Sequence, residues 1–291
     1  PAALVFGSGF LANIGIVSAM VGRADTIYLD RLAHASLIDA AILSRATLRR
    51  FRHNDAAHLA EMLWTDRSQA GKKLVVTESV FSMDGDLAPL TDLARVAREH
   101  QAMFMVDEAH ATGVFGPGGR GLVNAHDLEK DVNLAMGTLS KALGGYGGFV
   151  ACSETMRELL INRARSFIYT TALPPAVIGA ALGALQWLEA HPDLGRLLLK
   201  RAAALRSRLQ AAGLDTGLSG SHIIPIVIGD NRRTQAIAAR LRAAGIVVAA
   251  IRPPTVPEGT ARLRLSISLS HTDEDLAHAA GTIIKTVRAV K

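Results

Sequence analysis

The chain has 291 residues, of which 49% are hydrophobic and 20% are charged, and its formal net charge is +6. This composition excludes a disordered chain, and the length suffices for one large domain or two smaller ones. Apolar stretches such as 223–228 and 246–251 are far too short to span a membrane, so no membrane association is expected. The basic residues are scattered rather than clustered, which argues against a nucleic-acid partner and leaves only a weak indication of an anionic substrate. The single cysteine, Cys152, fits a reducing compartment such as the cytoplasm.

Short apolar runs alternate with amphipathic stretches over the first part of the chain. The pattern predicts strands at 3–6, 27–29, 73–76, 103–106, 133–137 and 148–151, and helices at 11–21, 37–44 and 92–99. Strands separated by helices are typical of an α/β fold with a mostly parallel sheet covered on both faces.

The pattern changes after Phe167. Pro174-Pro175 opens a long helix that reaches His191, and further helices are predicted at 197–212, at 234–244 and from Asp273. Strands are predicted at 223–228, 246–251 and 262–268. We therefore expect a large domain at 1–187 and a smaller C-terminal α+β domain at 188–291.

A glycine-rich turn, Gly7-Ser8-Gly9-Phe10, lies between the first strand and the first helix. Free backbone N–H groups at such a helix start suit a phosphate. With Ala12, and with Asp30 at the end of the next strand, the turn also matches a dinucleotide-binding pattern, so an NAD-binding oxidoreductase is one interpretation. A tight turn without any ligand is the other.

Two charged residues follow predicted strands. Asp107 ends the strand in MVDEAH, and the helicase interpretation of DEAH fails because no G-x-x-x-x-G-K-[ST] loop is present. Lys141, in TLSKALGG, is expected to be partly buried, which would lower its pKa toward that of a nucleophilic amine. Alone, Asp107 would be a helix cap and Lys141 a surface lysine. Together with the glycine turn they match the needs of pyridoxal 5′-phosphate: a Schiff-base lysine, an acid for the ring nitrogen and a phosphate anchor.

The segments GSGFLANIG, HASLIDA, ESVFSMDGDLAPL, VDEAHATGVFGPGGRG, TLSKALGG and IRPPTVPEGTARLRLS resemble the α-oxoamine synthases over essentially the whole chain. The resemblance implies a fold-type I pyridoxal-phosphate enzyme that works as a homodimer, with active sites between the subunits. The N-terminal segment of the family, which contributes to the acyl pocket and to dimer contacts, has no counterpart in this sequence.

The resemblance also assigns roles to individual positions. It implies catalytic roles for Lys141, His34, Asp107 and His110. It implies cofactor contacts from Gly9, Phe10, His34, Glu78, Ser82, Asp107, His110, Thr138 and Lys141, and from Thr170 or Thr171 of the second subunit. Substrate contacts are implied for His34, Arg252, Thr255 and Arg264, with Arg264 gripping the amino-acid carboxylate, and no metal is expected.

The stretch from Ile251 to Pro257 favours one branch of the family, which joins L-alanine to pimeloyl-CoA or pimeloyl-acyl carrier protein in biotin synthesis. In that chemistry Lys141 is both the covalent anchor and the general base. Branches that use glycine or serine are the near alternatives, and the NAD-binding oxidoreductase is the remote one.

Overall fold

The fold was described from a computed structural model of the chain, covering residues 1–290. The chain forms two compact units. The first comprises Pro1–Val80 and Ala88–Asp193, and the second comprises Phe81–Leu87 and the residues from Leu194 onward. The boundary expected at 187/188 thus has its counterpart near residue 193, and the short segment 81–87, which was expected in the large domain, groups with the second unit.

A seven-stranded sheet forms the centre of the first unit. Its strands are β1 (Ala2–Phe6), β2 (Thr26–Asp30), β3 (Thr47–Phe51), β4 (Lys73–Glu78), β5 (Met103–Asp107), β6 (Leu134–Thr138) and β7 (Gly148–Cys152). The order across the sheet is β1-β7-β6-β5-β4-β2-β3. The five consecutive strands β6-β5-β4-β2-β3 are parallel to one another, whereas β7 is antiparallel to both β6 and β1.

The predicted α/β fold with a mostly parallel sheet is confirmed, and the antiparallel position of β7 has a simple cause. Residues 139–147 are all that connect β6 to β7. A crossover to a parallel strand needs about a dozen residues or more, so this connection permits only an antiparallel return.

Eight helices accompany the sheet in the first unit: α1 (Gly9–Met20), α2 (Ala35–Ser44), α3 (Ala56–Thr65), α4 (Leu90–Glu99), α5 (Leu122–Ala125), α6 (Glu154–Arg163), α7 (Arg165–Ile168) and α8 (Pro175–Ala190). Side chains of α1 and α2 pack with those of the central strands into one apolar cluster that includes Ile16, Leu37 and Val76. The sequence did not predict β3, because this strand carries Arg49 and Arg50 and pairs on one side only, with β2.

The strand order excludes the dinucleotide interpretation of the glycine turn. In a dinucleotide fold, the acidic residue ends the strand next to the glycine turn, but four strands separate β1 from β2. Asp30 is fully buried and accepts hydrogen bonds from the backbone N–H groups of Leu32 (2.8 Å) and Asn54 (2.9 Å). Its carboxylate is therefore already engaged at the far side of the sheet, and the NAD-binding alternative is wrong.

The second unit is an α+β structure, as the sequence predicted. It contains α9 (Leu194–Ala211), α10 (Asn231–Ala243) and α11 (Asp273–Ala289) with an antiparallel sheet of β8 (Ile223–Gly229), β9 (Ala249–Ile251) and β10 (Ala261–Ser266), in the order β8-β10-β9.

Two contacts account for the inclusion of 81–87 in the second unit. Asp84 forms an ion pair with the buried Arg262 of β10. Gly85 has φ of +66°, and a Cβ at this position would lie 2.0 Å from the Ile223 oxygen, so only glycine fits. Among the described residues, no helix is long and apolar enough to cross a membrane.

Candidate active site

Three neighbouring strands of the first unit end in polar residues at one edge of the sheet. Glu78 ends β4, Asp107 ends β5 and Thr138 ends β6, and these strands are parallel, so their carboxyl ends meet at the same edge. Glu78 and Asp107 are direct partners in the strand register. Ligands of open α/β sheets bind at this edge. We call Glu78, Asp107, Lys141, His34 and His110 the strand-end cluster.

Lys141 lies just beyond β6 and contacts His110, which follows β5. The Lys141 Nζ atom is 3.0 Å from His110 Nε2, close enough for a hydrogen bond. The partial burial expected for Lys141 is wrong for this chain, because the turn at 140–142 is exposed. The amine is accessible from solvent and has one imidazole beside it.

Glu78 and His34 are joined through the backbone. His34 caps α2, and its N–H donates to Glu78 Oε1 at 2.6 Å. Glu78 is only 3% exposed, and burial raises the pKa of Glu78 well above its ordinary value, with the negative charge of Asp107 acting in the same direction. Lys141 and the hydrogen bond from His34 oppose this rise. Glu78 and Asp107 are register partners, and His110, three residues after Asp107, contacts Lys141, so the predicted acid and amine lie at the same edge of the sheet.

Asp107 is held by donors on both carboxylate oxygens. Its Oδ1 accepts from the Ala109 N–H at 2.9 Å, and its Oδ2 accepts from Asn13 Nδ2 at 2.8 Å. The same Asn13 nitrogen donates to Ser36 Oγ at 2.9 Å. Neither Asn13 nor Ser36 was predicted from the sequence as a functional residue. The available signal was an amide in the otherwise apolar stretch Leu11–Val17, where a buried polar side chain needs a partner.

The glycine turn lies against the end of β6. A Cβ on Gly9 would come within 3.6 Å of Thr138 Oγ1, and one on Gly148 would lie 2.7 Å from the Ser8 oxygen. The small residues therefore let the start of α1 approach the sheet edge. Gly9 and Phe10 are the first two residues of α1, so the helix itself does not use their N–H groups. The Thr138 hydroxyl donates to the Gly147 oxygen at 2.9 Å.

The remaining predicted positions lie elsewhere in the chain. Thr170 and Thr171 are exposed, between α7 and α8. Four positions belong to the second unit: Ser82, Arg252, Thr255 and Arg264. Their participation in the site stays a prediction.

Within the second unit, Arg264 is fixed by its neighbours. Its Nε donates to the Ser82 oxygen and its Nη1 to Ser266 Oγ. Burial lowers the pKa of the Arg264 guanidinium from its usual value. Arg252 and Thr255 are exposed, and the Thr255 N–H donates to the Arg252 oxygen at 3.0 Å.

The chain was compared with known proteins. The model of the aminotransferase class I and II family matches residues 1–283, and the chain belongs to this family, whose fold-type I architecture the seven-stranded sheet shares. Within it, the relatives are α-oxoamine synthases. The 8-amino-7-oxononanoate synthase of Geobacter sulfurreducens is 48% identical over 98% of this chain and 73% of its own length. That of Geobacter metallireducens is 48% identical over 96% of this chain and 71% of its own length.

Solved structures give the same assignment. A serine palmitoyltransferase from Sphingomonas wittichii matches with a TM-score of 0.94 and 36% identity, over 99% of this chain and 72% of that one. A crystal structure of 8-amino-7-oxononanoate synthase from Francisella tularensis matches with a TM-score of 0.86 and 34% identity, over 99% of this chain and 83% of that one. The resemblance seen in the sequence motifs is confirmed.

The residues of the first unit fit pyridoxal phosphate. Lys141 supplies an accessible amine, and Asp107 supplies a carboxylate fixed by two donors. The start of α1 supplies unused N–H groups in a cradle that a Cβ at Gly148 would fill. This set can hold an aldehyde, a protonated ring nitrogen and a phosphate.

Proposed function

We propose that the chain catalyses, with pyridoxal phosphate, the condensation of L-alanine with pimeloyl-CoA or pimeloyl-acyl carrier protein to 8-amino-7-oxononanoate, CO2 and free thiol. The observation that carries the proposal is the strand-end cluster, in which Lys141 contacts His110 just beyond the end of β5 and the carboxylate of Asp107, at that same end, is fixed by two donors. The chain that carries this cluster is 48% identical to two 8-amino-7-oxononanoate synthases over nearly the full length of the chain, which supports this reaction.

Pyridoxal phosphate, when bound, supplies an aldehyde that combines with amines and a ring that takes up the electron pair left on a substrate carbon. Lys141 is the amine that would anchor it, and its Nζ, once the amino group of alanine has displaced it from the aldehyde, would remove the proton from the α-carbon of alanine. His110 Nε2, 3.0 Å away, orients the Lys141 amine through a hydrogen bond. The Asp107 charge favours a proton on the ring nitrogen. The N–H groups of Gly9 and Phe10 would hold the phosphate, at the turn that the small residue Gly148 lets approach the sheet.

Several expectations from the sequence become part of this proposal. The active enzyme is a cytoplasmic homodimer, and Thr170 or Thr171 of one subunit completes the phosphate site of the other. Ser82 bonds the cofactor ring, while Arg252, Thr255 and Arg264 contact the substrates. A planar guanidinium such as that of Arg264 suits the bidentate recognition of an amino-acid carboxylate.

Replacing Lys141 with alanine tests the assignment. In the purified protein, the visible absorbance of the lysine-bound cofactor and the borohydride-fixed label on the lysine peptide should both disappear, and turnover should fall by about 10³-fold or more. Lys130→Ala, at an exposed position of the same unit, controls for the loss of one lysine. A Lys141→Ala protein with an unchanged absorbance band and full turnover would show that the assignment is wrong.

A second candidate is another α-oxoamine synthase reaction, of the 2-amino-3-ketobutyrate CoA ligase, 5-aminolevulinate synthase or serine palmitoyltransferase type. The match to serine palmitoyltransferase structures at 36% identity favours keeping it. Assays of alanine, glycine and serine with pimeloyl, acetyl, succinyl and palmitoyl thioesters discriminate between the branches. Preference for glycine with acetyl-CoA would contradict the reaction proposed above.

A further inference from the structure

A continuous hydrogen-bonded chain of four polar side chains joins two members of the strand-end cluster, Asp107 and His34. Asp107 Oδ2 is 2.8 Å from Asn13 Nδ2, which is 2.9 Å from Ser36 Oγ. Ser36 Oγ is in turn 2.7 Å from His34 Nδ1. The chain thus connects the end of β5, through α1, to the first turn of α2.

The direction of each hydrogen bond follows from the chemistry of the groups. A carboxylate only accepts, so the Asn13 atom facing Asp107 must be the amide nitrogen, and its second hydrogen goes to Ser36 Oγ. The backbone N–H of Ser36 also donates to His34 Nδ1, at 3.2 Å. This ring nitrogen must therefore carry a lone pair. The Ser36 hydroxyl, whose oxygen already accepts from Asn13, is the second donor to it.

The buried position of Asn13 leaves one of its polar atoms without a hydrogen bond to any described residue. The residue is 1% exposed, and its Oδ1 has no hydrogen-bond partner among residues 1–290. An unpaired buried carbonyl oxygen destabilises a folded protein. The amide is therefore explained by its two N–H groups, which serve Asp107 and Ser36, and not by its contribution to packing.

We propose that Asn13 and Ser36 are positioning residues that hold His34 as a neutral imidazole with its proton on Nε2 and fix the orientation of its ring. The role toward the cofactor rests on the proposed function, because it assumes that the His34 ring lies against the bound pyridoxal phosphate. A neutral ring offers a flat face without adding a second positive charge beside Lys141. In addition, the amide of Asn13 donates both to Asp107 and to Ser36. One side chain therefore fixes the position of Asp107 and, through Ser36, the tautomer of His34.

The charged groups around His34 are consistent with a neutral ring. Partial burial is the largest influence and lowers the pKa of His34, and the charge of Lys141 acts in the same direction. Asp107 and Asp39 raise it, without reversing the net lowering. Glu78 faces the backbone N–H of His34 rather than the ring. The hydrogen bonds to Nδ1 add to this preference, because they require the unprotonated nitrogen.

The test is nitrogen NMR of the full chain labelled with 15N-histidine, with and without added pyridoxal phosphate. His34→Gln identifies the His34 signals. In the unmodified chain at pH 8, Nε2 should be protonated and Nδ1 unprotonated. Ser36→Ala should reduce the ratio of the two neutral tautomers about tenfold and move the midpoint of the His34 titration upward by about one pH unit. Asn13→Ala should shift both in the same direction.

Ser44→Ala is the matched control, because Ser44 lies at the other end of α2 and donates to the Ala41 oxygen. It should leave the His34 signals unchanged, and Ser36→Thr, which keeps the hydroxyl, should restore the unmodified pattern. A proton on Nδ1 of the neutral ring in the unmodified chain at pH 8 would overturn the proposal without any variant. So would a Ser36→Ala protein whose His34 signals match those of the unmodified chain. Since these signals are measured also without cofactor, a failure of the proposed function would be seen separately, as an absence of cofactor binding.

Discussion

Replacing Glu108 with glutamine is expected to remove a pH dependence of stability that this buried carboxyl group introduces. Glu108 is 5% exposed and accepts hydrogen bonds from the N–H groups of Leu122 (2.6 Å) and Val123 (3.1 Å), at the start of α5. Burial raises the pKa of Glu108 from 4.5 to about 7, although these two bonds and the Ser79 side chain act in the opposite direction.

The sign and size of the effect follow from proton linkage. The folded protein holds the Glu108 proton more tightly than the unfolded chain does. The stability that this contributes is fully present below pH 4.5 and is lost once the pH has risen through about 7. With these two pKa values, the free energy of unfolding loses about 2.5 kcal/mol from this group between pH 5 and pH 8.

Urea unfolding of the unmodified chain and of Glu108→Gln, at pH 5 and pH 8, measures the effect. Glutamine keeps an oxygen that can accept from Leu122 and Val123 but cannot ionise. The free energy of unfolding of Glu108→Gln relative to the unmodified chain should therefore improve by about 2.5 kcal/mol from pH 5 to pH 8. Glu61→Gln, at an exposed position of α3, controls for the loss of one carboxylate. A relative free energy that is equal at both pH values within about 0.5 kcal/mol would refute the reasoning.

Two further substitutions test the packing of the first unit. Gly148→Ala should weaken the binding of pyridoxal phosphate by about tenfold or more, measured by titration of the absorbance, because the new Cβ would lie 2.7 Å from the Ser8 oxygen and displace the turn. Gly22→Ala, where a Cβ meets nothing within 4 Å, should bind normally, and equal affinities of the two variants would contradict the role of the close approach. Asp66→Ala should lower the free energy of unfolding by about 3 kcal/mol in urea unfolding, because it leaves the buried Tyr28 hydroxyl, 2.7 Å from Asp66 Oδ2, without its acceptor. A loss below about 1 kcal/mol would show that the hydrogen bond between Tyr28 and Asp66 contributes little to stability.

Strands with short apolar runs and helices with clear caps could be predicted from the sequence. The helix that Pro175 opens ends at Ala190, beside His191-Pro192, and β5 and β6 have nearly the predicted bounds. The failures have identifiable causes. The strand β3 carries two arginines at the sheet edge, and the exposed turn after β6 leaves Lys141 open to solvent. Neither local charge nor local hydropathy reports how a residue is covered by distant parts of the chain.

The sequence by itself determined the class of the protein, because its long motifs are specific and Asp107 and Lys141 come at or shortly after apolar runs that form strands. Only the tertiary structure decided what each of these residues contacts. Asn13 and Asp107 are 94 positions apart, and they meet because α1 packs on β6, the neighbour of β5 in the sheet. From the sequence, Asp30 had a plausible ligand and Asn13 had no role. The strand order removed the first assignment, and the hydrogen bonds of Asn13 to Asp107 and Ser36 supplied the second. Hydrogen bonds act over about 3 Å, so their partners depend on packing and not on distance along the chain.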